Sequence, residues 1–303
     1  MITVIGSLNM DLVTMTTKVP KIGETIIGTH FKQAAGGKGA NQADAIAKLG
    51  GRVTMIGRVG DDQFGESLIN ALKKDGVETS EVRITERIST GIATIVVNGE
   101  GDNSIIVVPG ANFKLTSQDI DETDAIIKAS SMVIAQLEVP IETIKYAFKK
   151  AKAYGIYTLL NPAPARKLDE ELLAMTDLLV PNETELEILS EKSLETEEDI
   201  IHAAKELMQK GVKEMIVTLG SSGCLHINKA GSKHYAAERV EAVDTTAAGD
   251  SFIGAIAMAF SEGKSFAQAI EFASKVSALT VTRQGAQDSL PTRMEVEEYI
   301  KNK

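Results

Sequence analysis

Asp244-Thr245-Thr246-Ala247-Ala248-Gly249-Asp250-Ser251-Phe252 joins two patterns. Before it, residues 239–243 have the composition of a strand. After it, residues 252–260 are apolar nearly all round, as in a buried helix. A strand that feeds a buried helix through a small-residue turn is the unit of layered α/β folds. Backbone N–H groups at a helix start attract anions, and the helix dipole adds to the pull. Asp250 falls on that first turn, among the donors. Most acids near a helix start simply cap it. A cap accounts for Asp250, but not for a second acid at Asp244, nor for Ala247, Ala248 and Gly249 between them.

Outward from this turn, short apolar runs alternate with helical patterns. Strand candidates are 53–56, 132–137, 157–160, 178–180 and 215–219. Residues 42–49, 65–74, 141–154, 183–191 and 197–210 have apolar positions at helical spacing. The alternation implies βαβ units: a three-layer α/β/α sandwich with a mostly parallel central sheet, binding its ligands at the carboxyl ends of the strands. Two segments differ. Residues 11–32 and 90–108 read as hairpin-like, the second turning at Asn98-Gly99-Glu100-Gly101. Both faces of the second carry β-branched residues, so something must cover each side. A small β-sheet lid over a site, paired with a second copy of the chain, meets that requirement. The expectation is one α/β domain over 1–303 with this lid inserted, assembled as a homodimer.

Composition narrows the partners. A net charge of −10 and a pI near 5.1 argue against nucleic acid, which needs a basic face. Cys224 is the only cysteine, which fits a reducing compartment. The first residues read as a strand and not as a signal peptide, and no apolar run approaches the ~18 residues that span a membrane. A cytoplasmic location with no membrane partner is expected.

Three further clusters carry polar chemistry. Gly36-Gly37-Lys38-Gly39-Ala40-Asn41-Gln42-Ala43 lets a backbone approach a ligand closely, with a helix starting near Ala40. It is neither a Walker A loop nor the dinucleotide fingerprint. Asn9 and Asp11, ordinarily turn residues after a first strand, join Asn41 as groups able to bind several hydroxyls, as sugar sites do. Asn182 and Glu185 have capping-box spacing, and Thr218-Leu219-Gly220-Ser221-Ser222-Gly223 runs from a strand end into a small-residue turn. Glu138 is another acid at a strand end. An anion-holding helix start beside an acid, with hydroxyl-binding amides, implies phosphoryl transfer. The N–H groups hold the developing charge and Asp250 takes a proton from the accepting hydroxyl.

These motifs together resemble the ribokinase-like (phosphofructokinase-B type) carbohydrate kinases, nearly from end to end. The resemblance also includes Gly60-Asp61-Asp62-Gln63-Phe64-Gly65, Leu160-Asn161-Pro162-Ala163-Pro164-Ala165 and Val281-Thr282-Arg283-Gln284-Gly285-Ala286-Gln287. It implies that family's fold, and ATP as phosphoryl donor to the 5-hydroxyl of D-ribose. By resemblance, Asp250 is the base and the backbone of Ala247, Ala248, Gly249 and Asp250 the anion hole. Asn9, Asp11, Gly37, Lys38, Asn41 and Glu138 hold the sugar, with Asp250 also touching it. Asn182, Glu185, Thr218, Gly220, Ser222 and Gly223 contact ATP and its hydrated Mg²⁺, with Gly249 nearby. Ser274 sits beside the adenine, where relatives often carry a larger polar residue. Asp244, Thr246, Thr280, Arg283, Gly285 and Ser289 form an activating K⁺ site built largely from carbonyls. A sibling kinase acting on fructose, a ketodeoxy sugar acid or a nucleoside is the alternative within the family; a sugar-binding regulator is the alternative outside enzymes.

Overall fold

A computed structural model of the chain describes residues 1–302. Its elements begin with β1 (Ile2–Ile5), β2 (Asn9–Met15), β3 (His30–Gly36), α1 (Lys38–Lys48), β4 (Val53–Gly60) and α2 (Gln63–Lys74). They continue with β5 (Val82–Thr85), β6 (Gly91–Val97), β7 (Asn103–Val108), α3 (Ser117–Glu122), α4 (Asp124–Ala129) and β8 (Met132–Gln136). Next come α5 (Ile141–Ala153), β9 (Tyr157–Asn161), α6 (Glu170–Ala174), β10 (Leu178–Leu179), α7 (Glu183–Ser190) and α8 (Glu197–Gln209). The last are β11 (Glu214–Thr218), β12 (Cys224–Asn228), β13 (Gly231–Tyr235), α9 (Ala248–Ser261), α10 (Phe266–Val281) and α11 (Arg293–Lys301).

A nine-stranded sheet runs β13-β12-β11-β10-β9-β8-β1-β4-β5 and is antiparallel only where β12 and β13 join its edge. Its strands are apolar on both faces because both faces are covered. Ile2, Val4, Met132 and Ile134 pack with residues of α1, α9 and α10, whereas Ile5, Val133 and Ala135 pack with α5, α7 and α8. Each fully buried Leu, Ile or Val of these two layers contributes about 1.5–3 kcal/mol, so the alternation along each strand fixes its register. Chain order reverses between β1 and β8. Such a switch point opens a crevice beyond the carboxyl ends of the strands.

Helix α9 is buried along most of its length. It crosses α1 closely at Gly254, where a Cβ would lie 2.6 Å from the Cβ of Ala45 and 3.2 Å from the carbonyl of Gln42. Only a glycine admits that approach, and it sits one turn beyond Asp250.

The separate four-stranded sheet runs β3-β2-β6-β7, with β2 and β6 parallel. It contains the two hairpin-like segments, with a turn at 98–102 as expected. Strand β7 is exposed throughout, including Ile105, Ile106, Val107 and Val108. No helix among the described residues is long and apolar enough to cross a membrane.

Two local expectations are corrected. Residues 239–243 are not a strand. The N–H groups of Val243 and Asp244 both donate to the Val281 carbonyl at the end of α10, at 2.7 and 3.2 Å, so this stretch meets a helix end and a cavity instead of a sheet edge. Helix α1 starts at Lys38, two residues before the expected start near Ala40. Asn9 and Asp11, of residue types ordinarily found in turns, open β2, in register with both β3 and β6.

Candidate active site

The carboxyl ends of β1, β8, β9, β10 and β11 converge on the start of α9. There Ala247, a non-glycine residue, stands in the N-cap position in a left-handed conformation (φ 61°), and, as in α1 and α5, no side chain caps the turn. The first N–H groups of a helix have no intrahelical partner. Gly249 has no protein atom within 4 Å of where a Cβ would stand. Protein packing therefore does not demand a glycine there, whereas a ligand seated against the helix start would.

Asp250 does not cap its own helix. It is 7% exposed, and α1 supplies its partners: Asn41 Nδ2 donates to Oδ2 and Gln42 Nε2 donates to Oδ1, each at 2.9 Å. Each oxygen thus takes one neutral amide and keeps lone-pair capacity for a substrate.

Two more carboxylates stand near. Glu138 Oε2 accepts from the Lys38 backbone N–H at 3.1 Å and from Ser7 Oγ at 2.5 Å, with Asn9 Nδ2 at 3.5 Å. Asn112 holds the 8–9 backbone: its Nδ2 donates to the Leu8 carbonyl and to Asn9 Oδ1, and its Oδ1 accepts from the Leu8 N–H. Burial, with the charges of Glu138 and Asp250, pushes the Asp11 carboxyl up to about 7; Lys32 opposes this. Burial alone would lower Lys38, but Asp250, Glu138 and Glu185 together hold its ammonium above the usual value. The centre is therefore rich in acceptors around one cation, a composition suited to hydroxyl-bearing ligands.

Two cavities meet at the residues expected to form the anion hole. The smaller, about 200 Å³, is walled by Lys38, Asn182, Glu185, Ala247, Gly249 and Asp250, among others. The larger, about 650 Å³ and mainly apolar, is walled by Gly220, Ser221, Gly223, Val240, Phe252 and Ser274, among others. Thr218, Thr245, Ala248 and Gly249 belong to both. This size and character suit a planar, drug-sized ligand, with its polar end at α9. Ser222 itself turns its carbonyl to His234 Nε2, at 2.8 Å, and it is Ser221 that lines the wall.

Asn182 and Glu185 do form the capping box of α7, and the same pair lines the smaller cavity. Burial raises the Glu185 carboxyl above its ordinary value. One carboxylate and one amide beside an anion hole fit a Mg²⁺ that keeps most of its waters and is otherwise held by phosphate oxygens.

The residues expected around a monovalent cation lie on two loops that do meet. Asp244 Oδ1 accepts from the Thr246 N–H and Oγ, and Oδ2 accepts from the Gly285 N–H at 2.9 Å. Burial would raise this carboxyl, but those hydrogen bonds outweigh it and hold it below the usual range. Thr280 and Ser289 are buried, their hydroxyls bonded to the carbonyls of Val276 and Ala286, and Arg283 pairs with Glu295 at 2.8 Å. No group of three or more His, Cys, Asp or Glu able to hold a metal occurs among the described residues.

Sequence reasoning assigned no role to Gln42, Gln136, Asn112 or Asn161. Gln42 and Asn161 lie inside motifs quoted above, so their motif membership was the available signal. Gln136 and Asn112 had none, because their partners are distant in the chain.

A model of the pfkB family carbohydrate kinases matches residues 1–293. The chain is 39% identical over 301 residues to the ribokinase of Haemophilus influenzae, covering 99% of this chain and 98% of that one. It is 42% identical over 300 residues to the deoxyribokinase of Salmonella typhimurium, with 99% and 98% covered. The solved structure of Arabidopsis thaliana ribokinase complexed with ribose and ATP superposes with a TM-score of 0.92 at 35% identity, covering 99% of this chain and 98% of that one.

Proposed function

The chain belongs to the pfkB family of carbohydrate kinases, and from that premise we propose that it transfers the γ-phosphoryl group of ATP to the 5-hydroxyl of D-ribose, giving D-ribose 5-phosphate and ADP. The observation that carries this reading is the buried Asp250 carboxylate at the uncapped start of α9, where the two cavities join. The adenosine part of ATP fills the larger cavity beside Ser274, and the phosphates run past Gly220 and Gly223 to the α9 N–H groups. Asn9, Asp11, Lys38, Asn41 and Glu138 hold the sugar hydroxyls. As the 5-oxygen attacks the γ-phosphorus, its proton passes to Asp250, and the bond to the bridging oxygen of ADP breaks. The N–H groups at 247–250 hold the charge that builds on the transferred group. Asn182 and Glu185 would hold the Mg²⁺ carried with the nucleotide, which would neutralise phosphate charge.

Four finer points belong to the same proposal. The whole of 1–303 acts as one kinase domain, with 11–32 and 90–108 as the inserted lid. The exposed apolar face of β7 pairs with a second copy, so light scattering should give about twice the 32.4 kDa chain mass. K⁺ orders the loops carrying Asp244 and Gly285, and with them the turn into α9. An enzyme that consumes ATP works where ATP is supplied, which we take to be the cytoplasm.

ADP release measured against D-ribose, 2-deoxy-D-ribose, fructose and nucleosides tests the reading. D-Ribose should be preferred, because a sugar lacking a hydroxyl leaves a buried polar group unpaired. The deoxyribokinase among the relatives makes 2-deoxy-D-ribose the pointed comparison. A clear preference for any other acceptor overturns the assignment.

A further inference from the structure

Asp250 is held from behind by side chains that do not belong to either cavity's expected ligand set. Gln42 is fully buried, and its Nε2 donates both to Asp250 Oδ1 at 2.9 Å and to Asn161 Oδ1 at 3.2 Å. Its Oε1 accepts from Gln136 Nε2 at 2.6 Å. Asn161 is oriented in turn, since its Nδ2 donates to the Val180 carbonyl at 3.1 Å. Gln136 and Asn161 end the adjacent parallel strands β8 and β9, directly opposite each other in register. Each amide in this relay has only one orientation that satisfies its neighbours, so the end facing Asp250 is fixed as a donor.

The relay is costly to keep. Gln136 Oε1 is buried without a hydrogen-bond partner, and a Cβ on Gly6 would lie 2.1 Å from it. An unpartnered buried acceptor destabilises a fold, and apolar residues of similar shape would pack there at less cost. Retaining two buried amides that hold a third against one carboxylate fits a task beyond packing. Asn41, the other donor to Asp250, belongs to the expected sugar contacts and has a hydroxyl to serve when the sugar is bound. Gln42 has none, so its bond to the base persists through the reaction.

We infer that Gln42, locked by Gln136 and Asn161, is a positioning residue that aims Asp250 at the accepting hydroxyl. A neutral amide is suited to this. It fixes the direction of Oδ1 without placing a full positive charge on the base, and so leaves Oδ2 with its capacity to take a proton. The inference rests on the proposed kinase reading, in which Asp250 is the base.

The test is steady-state kinetics and thermal melting of Gln42→Met, Gln42→Met/Gln136→Met and Asp250→Asn, with and without Gln42→Met. Methionine keeps the length and volume of glutamine and fills irregular core space. Gln42→Met should lower kcat about 10–100-fold, the factor one hydrogen bond to a charged group commonly carries, with KM for sugar and ATP within about threefold. Its melting temperature should fall, because Gln136 loses its acceptor. The double variant should recover the melting temperature but not kcat. In the Asp250→Asn background, Gln42→Met should cost less than about twofold, since residues acting as a unit are not additive. Three results each overturn the inference: kcat near wild type in Gln42→Met, kcat that returns together with thermal stability, or an undiminished loss in the Asp250→Asn background. Wild-type protein that prefers another sugar overturns the ribose assignment alone, and the comparisons then run on that sugar. Wild-type protein that phosphorylates none overturns both.

Discussion

Asp250→Asn separates chemistry from folding more cleanly than any other change at this site. The carboxylate now accepts one amide hydrogen on each oxygen, from Gln42 and from Asn41. An amide in its place has one acceptor and one donor, so its NH₂ must face one of those two donors. Gln42 cannot turn, because Gln136 and Asn161 fix it. Asn41 can, since its Oδ1 has only a 3.5 Å contact with Gln287 Nε2 to give up. The new side chain therefore points its oxygen at Gln42 and its NH₂ at a flipped Asn41, and about one neutral hydrogen bond, ~1 kcal/mol, is at stake. For a chain of this size that is a loss of about 1–2 °C in Tm. The chemical cost is larger. General-base catalysis typically contributes about 10²–10⁴-fold, and a thousandfold loss in kcat corresponds to about 4 kcal/mol of barrier. Turnover from a coupled ADP assay, Tm from circular dichroism and ATP affinity from calorimetry should show kcat down about 10³-fold in a folded protein that still binds ATP. More than about a tenth of wild-type kcat in folded protein would refute the assignment of the base.

Asp11, with its carboxyl at about 7 in the fold against an ordinary 3.8, is largely neutral at pH 6 and ionised at pH 8. Sugar hydroxyls that donate to it favour the ionised form, so D-ribose should bind more tightly as pH rises through 7 and release protons, measured by calorimetry in buffers of different ionisation enthalpy. Asp11→Asn should flatten that dependence. Asp44 is fully buried, with Lys48 Nζ 3.2 Å from Oδ2; burial, aided by the charge of Asp75, pushes its carboxyl up to about 7 against the opposing pull of Lys48. A carboxyl raised in the folded state contributes stability below about pH 4 that is lost as pH rises through 7. Asp44→Asn should therefore raise Tm by about 2 °C or more at pH 8, with the gain shrinking toward pH 4; no gain at pH 8 would contradict the assigned environment. Replacing K⁺ by tetramethylammonium at constant ionic strength should lower kcat several-fold, and equal rates in the two salts would remove the cation from the mechanism.

Much of the architecture was legible because buried parallel strands announce themselves. Strands β4, β8, β9 and β11 each carry a short, largely apolar run, and the helices between them repeat at 3.6 residues. The small second sheet was legible for the opposite reason, since β6 and β7 are apolar on faces that a single chain leaves half covered or bare. Legibility failed where distant partners decide. Residues 239–243 look like a strand in isolation, and only the end of α10 and the neighbouring cavity reveal that no sheet edge is available. Asn9 and Asp11 carry turn propensity, yet pairing with both β3 and β6 outweighs it. The amide relay spans residues 42, 136, 161 and 250, and no local pattern records contacts between elements so far apart.

The groups gathered around Glu138, namely Ser7, Asn9, Asp11 and Lys38, all precede residue 139, whereas the larger cavity is walled entirely by residues from Thr218 to Val281. The two ligand environments are thus written in separate stretches of the gene. A single crossover between residues 139 and 181 would exchange one environment between relatives while leaving the other whole. What such an exchange must match is the pairing of β8 with β9, the close packing of α9 on α1 at Gly254 and Ala45, and the reach of Asn41 and Gln42 across to Asp250. Recombination can therefore vary the surroundings of Glu138 without rebuilding the walls of the larger cavity, provided those three junctions fit.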